Sequence, residues 1–379
     1  MSVAIHLTGC GGRLRVVVRH LLAQADPGSL EIVSVADPDP GSVDAVRALA
    51  PGVAAHASQA QALAGGRATW ALIGSPNACH AGHVIGALEA GLNVFCEKPL
   101  ATHRADCLAI RDAVRAHPDQ MFFFGLVLRY SPFYRRIKAI LDAGGVGRIV
   151  SFEFNETIPF HHGGYIHGNW RRHRNISGTH LLEKCCHDLD LANWLTGSLP
   201  SRVASFAGLD VFTAANAPLE AAAGTTADGR SAYRLWPDPH GISPFNDDKD
   251  IADNQVAILE YASGARATFH TNFHAAIPER RFSICGTKGG LRADALTGII
   301  EVRRIRIEAQ VRSETVGDGD GHAGSDVPMA RHLAASMLNG APPVAGLVEA
   351  LDSAFAAFAL DEAADTGRVV AIDPAAWGA

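Results

Sequence analysis

A cluster of ionisable side chains lies near the middle of this 379-residue chain, in Glu183-Lys184-Cys185-Cys186-His187-Asp188-Leu189-Asp190. Helical spacing places Glu183, His187 and Asp190 on one face. An imidazole beside a carboxylate is suited to general acid–base chemistry, because the carboxylate fixes the tautomer and tunes the pKa of the ring. Two other interpretations stay open. The cysteine pair and His187 could bind a metal, although adjacent cysteines do not suit a tetrahedral site, or the segment is a structural amphipathic helix.

A lysine follows an apolar strand in Glu97-Lys98-Pro99, directly after Asn93–Cys96. A side chain at the carboxyl end of a parallel strand points into the crevice where ligands bind. The ammonium group of Lys98 is suited to hold a substrate hydroxyl or to stabilise a developing alkoxide. Taken alone, the tripeptide is explained better by a solvated lysine beside a proline that ends the strand.

A glycine-rich turn near the N-terminus predicts a nucleotide site. Gly9-Cys10-Gly11-Gly12-Arg13 follows an apolar run and precedes a helical pattern. Where there is no Cβ the backbone approaches phosphates closely, and the helix start offers unpaired N–H groups and a positive dipole end. The third glycine position of the GxGxxG pattern holds Leu14. The turn predicts binding of a dinucleotide's pyrophosphate, with an ordinary glycine turn as the alternative.

Further segments complete the predicted cofactor site. Asp37 ends the second apparent strand, where a carboxylate accepts hydrogen bonds from ribose hydroxyls and repels a 2′-phosphate. No basic residue follows closely, so NAD is favoured over NADP, although an aspartate before proline is also common in turns. Asn77 and His80 are suited either to touch the nicotinamide end or to cap the following helix. The predicted cofactor-binding residues are Gly9, Gly11, Gly12, Arg13, Asp37, Ser75, Asn77, His80, Glu97 and Lys98.

The first third of the chain alternates apolar strands with helical patterns, which predicts a parallel sheet covered on both faces. Right-handed crossovers then give a doubly wound α/β domain over residues 1–126. The predicted strands are Val3–Thr8, Glu31–Ala36, Trp70–Gly74, Asn93–Cys96 and Met121–Gly125, and the predicted helices are Leu14–Ala25, His80–Ala90 and Thr102–His117.

The pattern changes after Gly125, and residues 127–379 predict a second, α+β domain. Strands joined by short turns indicate a mostly antiparallel sheet. The segment at about 212–250 fits no element, and is typical of a lid, an oligomer contact or a disordered insert. A helix over Arg129–Asp142 precedes predicted strands at Ile149–Asn155, Val203–Val211, Gln255–Tyr261, Ala265–Asn272, Arg281–Cys285 and Ile299–Ile307, and helices follow at Pro328–Asn339 and Leu347–Asp365.

Composition excludes several classes of protein. The net charge of −6 disfavours nucleic-acid binding, and no apolar stretch is long enough to span a membrane. Seven scattered cysteines without a CxxC pair and the lack of a signal-peptide layout indicate a cytoplasmic protein. No metal site is expected. The histidines between His161 and His180 form no metal-binding pattern, and Asp318-Gly319-Asp320-Gly321 fails the EF-hand register and predicts a turn.

Together these motifs resemble the Gfo/Idh/MocA oxidoreductase family. The resemblance implies an N-terminal Rossmann domain and a C-terminal open-faced sheet that binds substrate and often mediates oligomerisation. Members commonly oxidise or reduce hydroxyls of sugars, inositols and related polyols with NAD or NADP. The resemblance rests on Gly9–Arg13, Glu97-Lys98-Pro99, Arg129-Tyr130-Ser131-Pro132, Glu183–Asp190 and Gly286–Gly290.

The resemblance also implies roles for three residues. Lys98 is the lysine near the reacting carbon, His187 is the histidine of the family's Asp-x-x-x-His motif, and Glu183 stands where that motif usually has aspartate. We expect His187 to accept the hydroxyl proton as hydride leaves for the nicotinamide. Lys98 then donates a hydrogen bond to the oxygen, and Glu183 orients or tunes one of them.

These expectations describe an NAD-dependent dehydrogenase with a small sugar or polyol substrate, assembled as a homo-oligomer. Trp170 and Arg171 are suited to supply an aromatic platform and hydrogen-bond donors for a sugar or polyol, with surface packing as an equal alternative. Two alternatives stay open, namely an NAD-dependent glycosidase acting through transient oxidation and a non-catalytic NAD-binding or redox-sensing protein. The predicted substrate-binding residues are Lys98, Arg129, Tyr130, Trp170, Arg171 and His187.

Overall fold

A computed structural model describes residues 2–236, 241–317 and 322–378, and the chain divides into two units. The first unit contains the chain up to Ser131 together with Gly324–Ala354, and the second contains Pro132–Ala323 and the chain from Phe355 onward. The tetrapeptide predicted as a turn at Asp318–Gly321 lies outside the described residues.

The first unit contains a parallel sheet. Its strands are β1 (Val3–Thr8), β2 (Leu30–Ala36), β3 (Ala54–His56), β4 (Trp70–Ile73), β5 (Asn93–Cys96) and β6 (Phe122–Phe124). They lie in the order β3-β2-β1-β4-β5-β6, so the chain reverses direction across the sheet between β1 and β4. All four residues of β4 are buried, as expected of a central strand covered on both faces. The doubly wound sheet predicted from the sequence is confirmed.

Some of the helices begin at a polar cap or a proline. Asp39, for example, caps its helix by accepting hydrogen bonds from the amides of Gly41 and Ser42. In chain order the helices are α1 (Gly12–Ala23), α2 (Pro40–Leu49), α3 (Gln59–Leu63), α4 (His80–Glu89), α5 (Arg104–Ala116), α6 (Pro132–Asp142), α7 (Phe160–His167), α8 (Arg174–Ser177), α9 (Cys186–Thr196), α10 (Pro218–Ala222), α11 (Asp326–Asn339) and α12 (Leu347–Thr366). Among the described residues, none of these helices is long and apolar enough to cross a membrane.

Helix α11 belongs to the first unit, whereas the sequence placed it in the second domain. It packs against α1, and the amide of Phe124 at the end of β6 donates a hydrogen bond of 3.0 Å to the carbonyl oxygen of Ala345. The apolar stripe of α11 predicts a buried helix but carries no information about which sheet it covers. The structure therefore makes the first unit discontinuous in sequence.

The second unit contains a mostly antiparallel sheet. Its strands are β7 (Ile149–Pro159), β8 (Pro200–Gly208), β9 (Asn254–Tyr261), β10 (Arg266–Ala275), β11 (Arg281–Gly286), β12 (Gly289–Asp294), β13 (Ile299–Arg304), β14 (Arg312–Thr315) and β15 (Val370–Ala371). The order is β14-β13-β12-β11-β7-β10-β9-β8-β15, and β7 and β10 form the single parallel pair between these strands. The predicted fold class is confirmed.

The segment predicted as a lid, a contact or a disordered insert has a small core of its own. Phe212, Tyr233 and Phe245 are buried together with Ile166 of α7 and Phe273 of β10. Residues 237–240 of this inserted segment lie outside the described residues. Its described part is packed onto the second unit.

Candidate active site

Gly9 follows β1 and takes a backbone φ of 73°, which L side chains rarely adopt. A Cβ on Gly9 would lie 2.4 Å from the Cα of Ser75, which follows β4. The Gly9 amide donates a hydrogen bond of 2.9 Å to the carbonyl oxygen of Ala36 at the end of β2. The turn thus lies between the ends of β2 and β4, where the order of the strands reverses. Sheets of this kind usually bind their ligands in the crevice at that point.

Gly11 and Gly12 form the start of α1, and a Cβ on either would meet nothing within 4 Å. No side chain caps this helix and its first turn holds no acidic residue. The first amides of a helix lack partners within the helix and favour anions. A cradle that excludes a Cβ at Gly9, next to open uncapped amides, fits the pyrophosphate of a dinucleotide.

Leu14 stands where the glycine pattern has its third glycine, and the structure shows what replaces that glycine. A Cβ on Gly74, at the end of β4, would lie 2.7 Å from the Cβ of Leu14. The glycine that lets helix and strand approach closely is therefore on the strand. The departure from the pattern leaves the turn intact.

Asp37 follows β2, and its carboxylate accepts hydrogen bonds from the amides of Cys10 and Asp39. Each carboxylate oxygen has a second lone pair, so the group retains capacity for ribose hydroxyls. The sequence shows no basic residue after Asp37, but the fold brings one from α1. The guanidinium of Arg15 donates to the carbonyl oxygen of Cys10 over 3.0 Å and to Oγ of Ser42 over 3.3 Å.

Arg13 is held by two carboxylates. Its Nε lies 3.0 Å from Oε1 of Glu97, and its terminal nitrogen lies 2.7 Å from Asp326 of α11. Oε2 of Glu97 accepts a hydrogen bond of 3.2 Å from the amide of Lys98. Glu97 is buried, whereas Lys98 is partly exposed at the carboxyl end of β5. Arg13 and Glu97 therefore support the turn that presents Lys98.

Ser75, Asn77 and His80 are buried after β4. Oγ of Ser75 lies 2.9 Å from Nδ1 of His83. The two ring nitrogens of His80 lie 2.7 Å from the carbonyl oxygen of Pro99 and 3.0 Å from that of Ser75. Burial lowers the pKa of His80, so the neutral ring donates one N–H to these carbonyls. His80 thus fastens the turn after β5 to the start of α4.

Arg129 and Tyr130 lie in a 3₁₀ turn before α6 and are both buried. Arg129 is 3.6 Å from a carboxylate oxygen of Glu349, and the Tyr130 hydroxyl accepts a hydrogen bond of 3.3 Å from the Val344 amide. Tyr130 is only 1% exposed. These contacts hold both side chains within the first unit, and their substrate-binding role stays a prediction.

The ionisable cluster of the second unit does not lie on one regular helix. Leu181–Cys185 form a π-helical turn, and α9 begins at Cys186. Such turns widen a helix by one residue and are frequent at functional sites. Glu183 is carried by the π turn, and His187, 4% exposed, by the first turn of α9. Among the described residues no group of three or more metal-ligating side chains comes together.

Arg171 joins Glu183 to the aromatic residues around α7. Its Nε donates to Oε1 of Glu183 over 3.0 Å, and its terminal nitrogen donates to the hydroxyl of Tyr165 over 2.9 Å. The guanidinium carbon lies 4.2 Å from the ring centre of Trp170. Arg171 therefore fixes the direction of the Glu183 carboxylate, a connection that the sequence does not reveal.

A buried ionic network lies beside this cluster. Arg280 binds Asp188 through two hydrogen bonds of 2.9 and 2.8 Å and also pairs with Glu156 of β7. Nζ of Lys184 lies 3.2 Å from the other oxygen of Glu156. Burial alone would raise the pKa of Glu156, but the cations Arg280 and Lys184 outweigh it and lower the pKa to about 2. Sequence reasoning missed this network because its members are distant along the chain.

Comparison with known protein families decides which family this arrangement belongs to. Residues 4–124 match the model of an oxidoreductase family with an NAD-binding Rossmann fold, and residues 134–292 match the Gfo/Idh/MocA C-terminal domain. The chain belongs to the Gfo/Idh/MocA family of oxidoreductases. The NAD-binding Rossmann fold predicted from the glycine turn is thereby confirmed.

Curated proteins also match parts of the chain. YteT of Bacillus subtilis is 25% identical over 249 residues, which are 57% of this chain and 58% of YteT. Inositol 2-dehydrogenase 3 of Saccharopolyspora erythraea is 41% identical over 172 residues, 44% of this chain and 46% of that protein. The chain thus spans about half the length of these curated relatives.

Solved structures share the fold over nearly the whole chain. Levoglucosan dehydrogenase in complex with NADH has a TM-score of 0.80 at 19% identity, covering 98% of this chain and 100% of that one. Myo-inositol 2-dehydrogenase from Lactobacillus plantarum has a TM-score of 0.76 at 21% identity, with the same coverage. At these identities the likeness shows the two-domain fold of the Gfo/Idh/MocA family.

Proposed function

We propose that this chain is an NAD-dependent oxidoreductase acting on a hydroxyl carbon of a sugar, an inositol or a related polyol. The observation that carries the proposal is the glycine turn after β1, where Gly9 leaves no room for a side chain, at the same sheet edge as Lys98 after β5. The names of the relatives, inositol 2-dehydrogenase and levoglucosan dehydrogenase, support the substrate class.

The residues of each unit have separate roles in this proposal. The amides at Gly11 and Gly12 hold the pyrophosphate, and Asp37 holds the adenine ribose. Bound NAD supplies the hydride acceptor. The ammonium group of Lys98 donates a hydrogen bond to the substrate oxygen as negative charge develops there.

His187 and Glu183 handle the proton of the substrate hydroxyl in this proposal. Nε or Nδ of His187 accepts that proton, a step that contributes on the order of 10²–10⁴-fold to a rate. Glu183 is a positioning residue, because its Oε1 is already bound by Arg171. Its longer arm, compared with the aspartate usual in the family, is accommodated by that ion pair.

The test is an incubation of the enzyme and NAD with a panel of monosaccharides, inositols and glycosides, followed by the absorbance of NADH and by product mass. We expect NADH to accumulate with at least one polyol, and Lys98→Met and His187→Asn each to reduce turnover at least 100-fold. NAD affinity, measured by calorimetry, should stay within a few-fold of wild type. Cleaved glycoside without net NADH would instead support transient oxidation, and near-normal turnover in either variant would contradict its assigned role.

We also propose that copies of the chain associate through the outer face of the second sheet. Phe206, Val256 and Ile258 are 75%, 49% and 59% exposed on adjacent strands β8 and β9. A contiguous exposed apolar patch is typical of a protein interface. Sedimentation should show an oligomer that Phe206→Glu dissociates, and a wild-type monomer at all concentrations tested would contradict the proposal.

A further inference from the structure

A continuous line of side chains runs from Glu183 to an exposed tryptophan of the inserted segment. Arg171, which binds Glu183, has its guanidinium carbon 5.2 Å from the ring centre of Tyr165. The Tyr165 ring in turn lies 4.8 Å from the ring of Trp236, at an interplanar angle of 72°. We call Tyr165, Arg171 and Trp236, together with His162, the aromatic wall.

Trp236 is the outermost member of the aromatic wall. The ring of His162 lies 4.4 Å from its indole and that of Tyr165 supports it edge to face. The indole nevertheless remains 37% exposed. An aromatic side chain that neighbours hold in place but do not cover is suited to contact a ligand.

The inserted segment is fixed at the point where it presents Trp236. Tyr233 is 3% exposed, and its hydroxyl hydrogen-bonds to Nε2 of His274. A Cβ on Gly164 of α7 would lie 2.0 Å from the carbonyl oxygen of Tyr233, so the segment touches the helix backbone. Arg234 pairs with Glu220 over 2.7 Å. The support is a packed surface, which gives a binding site its geometry.

We propose that the aromatic wall binds a second ring of the substrate, the aglycone or neighbouring sugar of a glycoside. The inference rests on the proposed function of Glu183 and His187, because it places the reacting ring there. The contacts from Glu183 to Trp236 pass through Arg171 and Tyr165, so we assign Trp236 to a ring beyond the one held at Glu183. The substrate class is therefore a glycoside larger than one monosaccharide.

The chemistry of the aromatic wall matches such a ring. The C–H face of a pyranose, or an aromatic aglycone, stacks on Trp236. Nε and one terminal nitrogen of Arg171 are bound to Glu183, Tyr165 and Asn169, and the second terminal nitrogen is the donor that we assign to a ring hydroxyl. Asn169, bound to Arg171 over 3.2 Å, adds an amide next to the same surface. The combination of an apolar platform and a few fixed polar groups is typical of small-molecule sites.

The experiment measures calorimetric dissociation constants of phenyl β-D-glucopyranoside and D-glucose for the NADH-loaded full chain. Wild type should bind the glycoside about tenfold more tightly than glucose, as a contact of ~1.4 kcal/mol requires. Trp236→Ala should bring this ratio close to one, and Trp236→Phe should retain most of it. Leu219→Ala is the matched control, because Leu219 lies in the same segment at 38% exposure outside the aromatic wall.

Three results would overturn the inference. They are a wild type with no preference for the glycoside, an unchanged ratio in Trp236→Ala, and an equal loss of the ratio in Leu219→Ala. Thermal unfolding of each variant identifies loss of folding, and Trp236→Phe then decides the outcome. Absence of turnover on every sugar and polyol would refute the proposed reaction, whereas the binding ratio still reports on the aromatic wall.

Discussion

The three glycines of the nucleotide turn have different reasons to be glycine. Gly9 combines a positive φ with backbone atoms of Ser75 where its Cβ would be. Gly11 and Gly12 face open space, and their small size matters only for an approaching phosphate. All three positions hold glycine, but their surroundings differ. Gly9 is required for folding of the turn, whereas Gly11 and Gly12 leave room for a ligand.

Gly9→Ala should therefore destabilise the protein, whereas Gly12→Ala should not. The alanine at position 9 must move the Ser75 backbone and adopt strained dihedrals, at a cost on the order of 1–3 kcal/mol or more. The alanine at position 12 is in the first turn of α1, where helix propensity favours it. Urea unfolding measures both free energies, and a Gly9→Ala variant as stable as wild type would contradict the model of the turn.

Asp37→Asn should shift the cofactor preference toward NADP. The amide keeps an acceptor for the Cys10 amide but removes the charge that repels a 2′-phosphate. Arg15, which the sequence did not place near Asp37, supplies a cation on the adjacent helix. We expect the ratio of kcat/KM for NAD over NADP to fall at least tenfold. Arg15→Gln in the same background should reverse part of the gain, and an unchanged ratio in Asp37→Asn would show that Asp37 does not select the cofactor.

At the scale of elements, the sequence predicted most strands and helices of the first unit because apolar runs alternate with helical stripes there. It missed β3 and α3, which are short, and α2, whose signal is mainly the Asp39 cap and Pro40. In the second unit it missed β12, because the predicted glycine turn overlaps the first residues of that strand, which begins at Gly289. Short elements are fixed by tertiary partners, which a single sequence does not show.

The candidate site was predicted only in part, because a single sequence does not show which elements pack together. Glu183 and His187 are neighbours by spacing, but the π turn between them and the link to Arg171 depend on α7 and on packing. Leu14 departs from the glycine pattern, and the sequence alone does not show that its compensating residue is Gly74, which follows β4. Contacts between residues of different helices and strands therefore could not be predicted from the sequence.

Arg280→Ala should be the most destabilising change at this scale. It leaves Glu156 and Asp188 buried without their shared cation, and breaking such a pair costs about 3–5 kcal/mol. Arg281→Ala is the matched control, because that neighbouring arginine is about half exposed and pairs with Glu279. Its loss should cost about 1 kcal/mol or less. Equal free energies of unfolding in the two variants would show that the network contributes no stability.

At the scale of the whole molecule, the first unit is built from two segments of the sequence, one before and one after most of the second unit. A fragment of residues 1–131 would lose α11 from the surface of α1, the Asp326 partner of Arg13 and the Ala345 partner of Phe124. The sequence-based boundary at residue 126 divides the chain inside this unit's contacts. The two parts of the first unit are therefore expected to fold only when both are present.

The whole molecule should also lose stability in acid, because it buries neutral histidines in both units. Burial lowers the pKa of His6 to about 4 and that of His180 to about 3. A group whose pKa is lowered by folding contributes stability above its unfolded pKa of about 6.5, and this contribution is lost as the pH falls toward the folded value. Asp361 has the opposite effect on stability in acid, because burial raises its pKa to about 7. The pH dependence of the total stability therefore combines both effects.

His180→Gln isolates one of these contributions. His180 is 2% exposed, its Nε2 hydrogen-bonds to Thr271, and its ring packs on Phe273. Below pH 6.5 each pH unit should cost the wild type about 1.4 kcal/mol more than the variant, or about 2 kcal/mol by pH 5. Urea unfolding from pH 8 to pH 5 gives this difference directly, and Asp361 cancels because both proteins contain it. A His180→Gln curve parallel to wild type would mean that this imidazole does not resist protonation in the folded state.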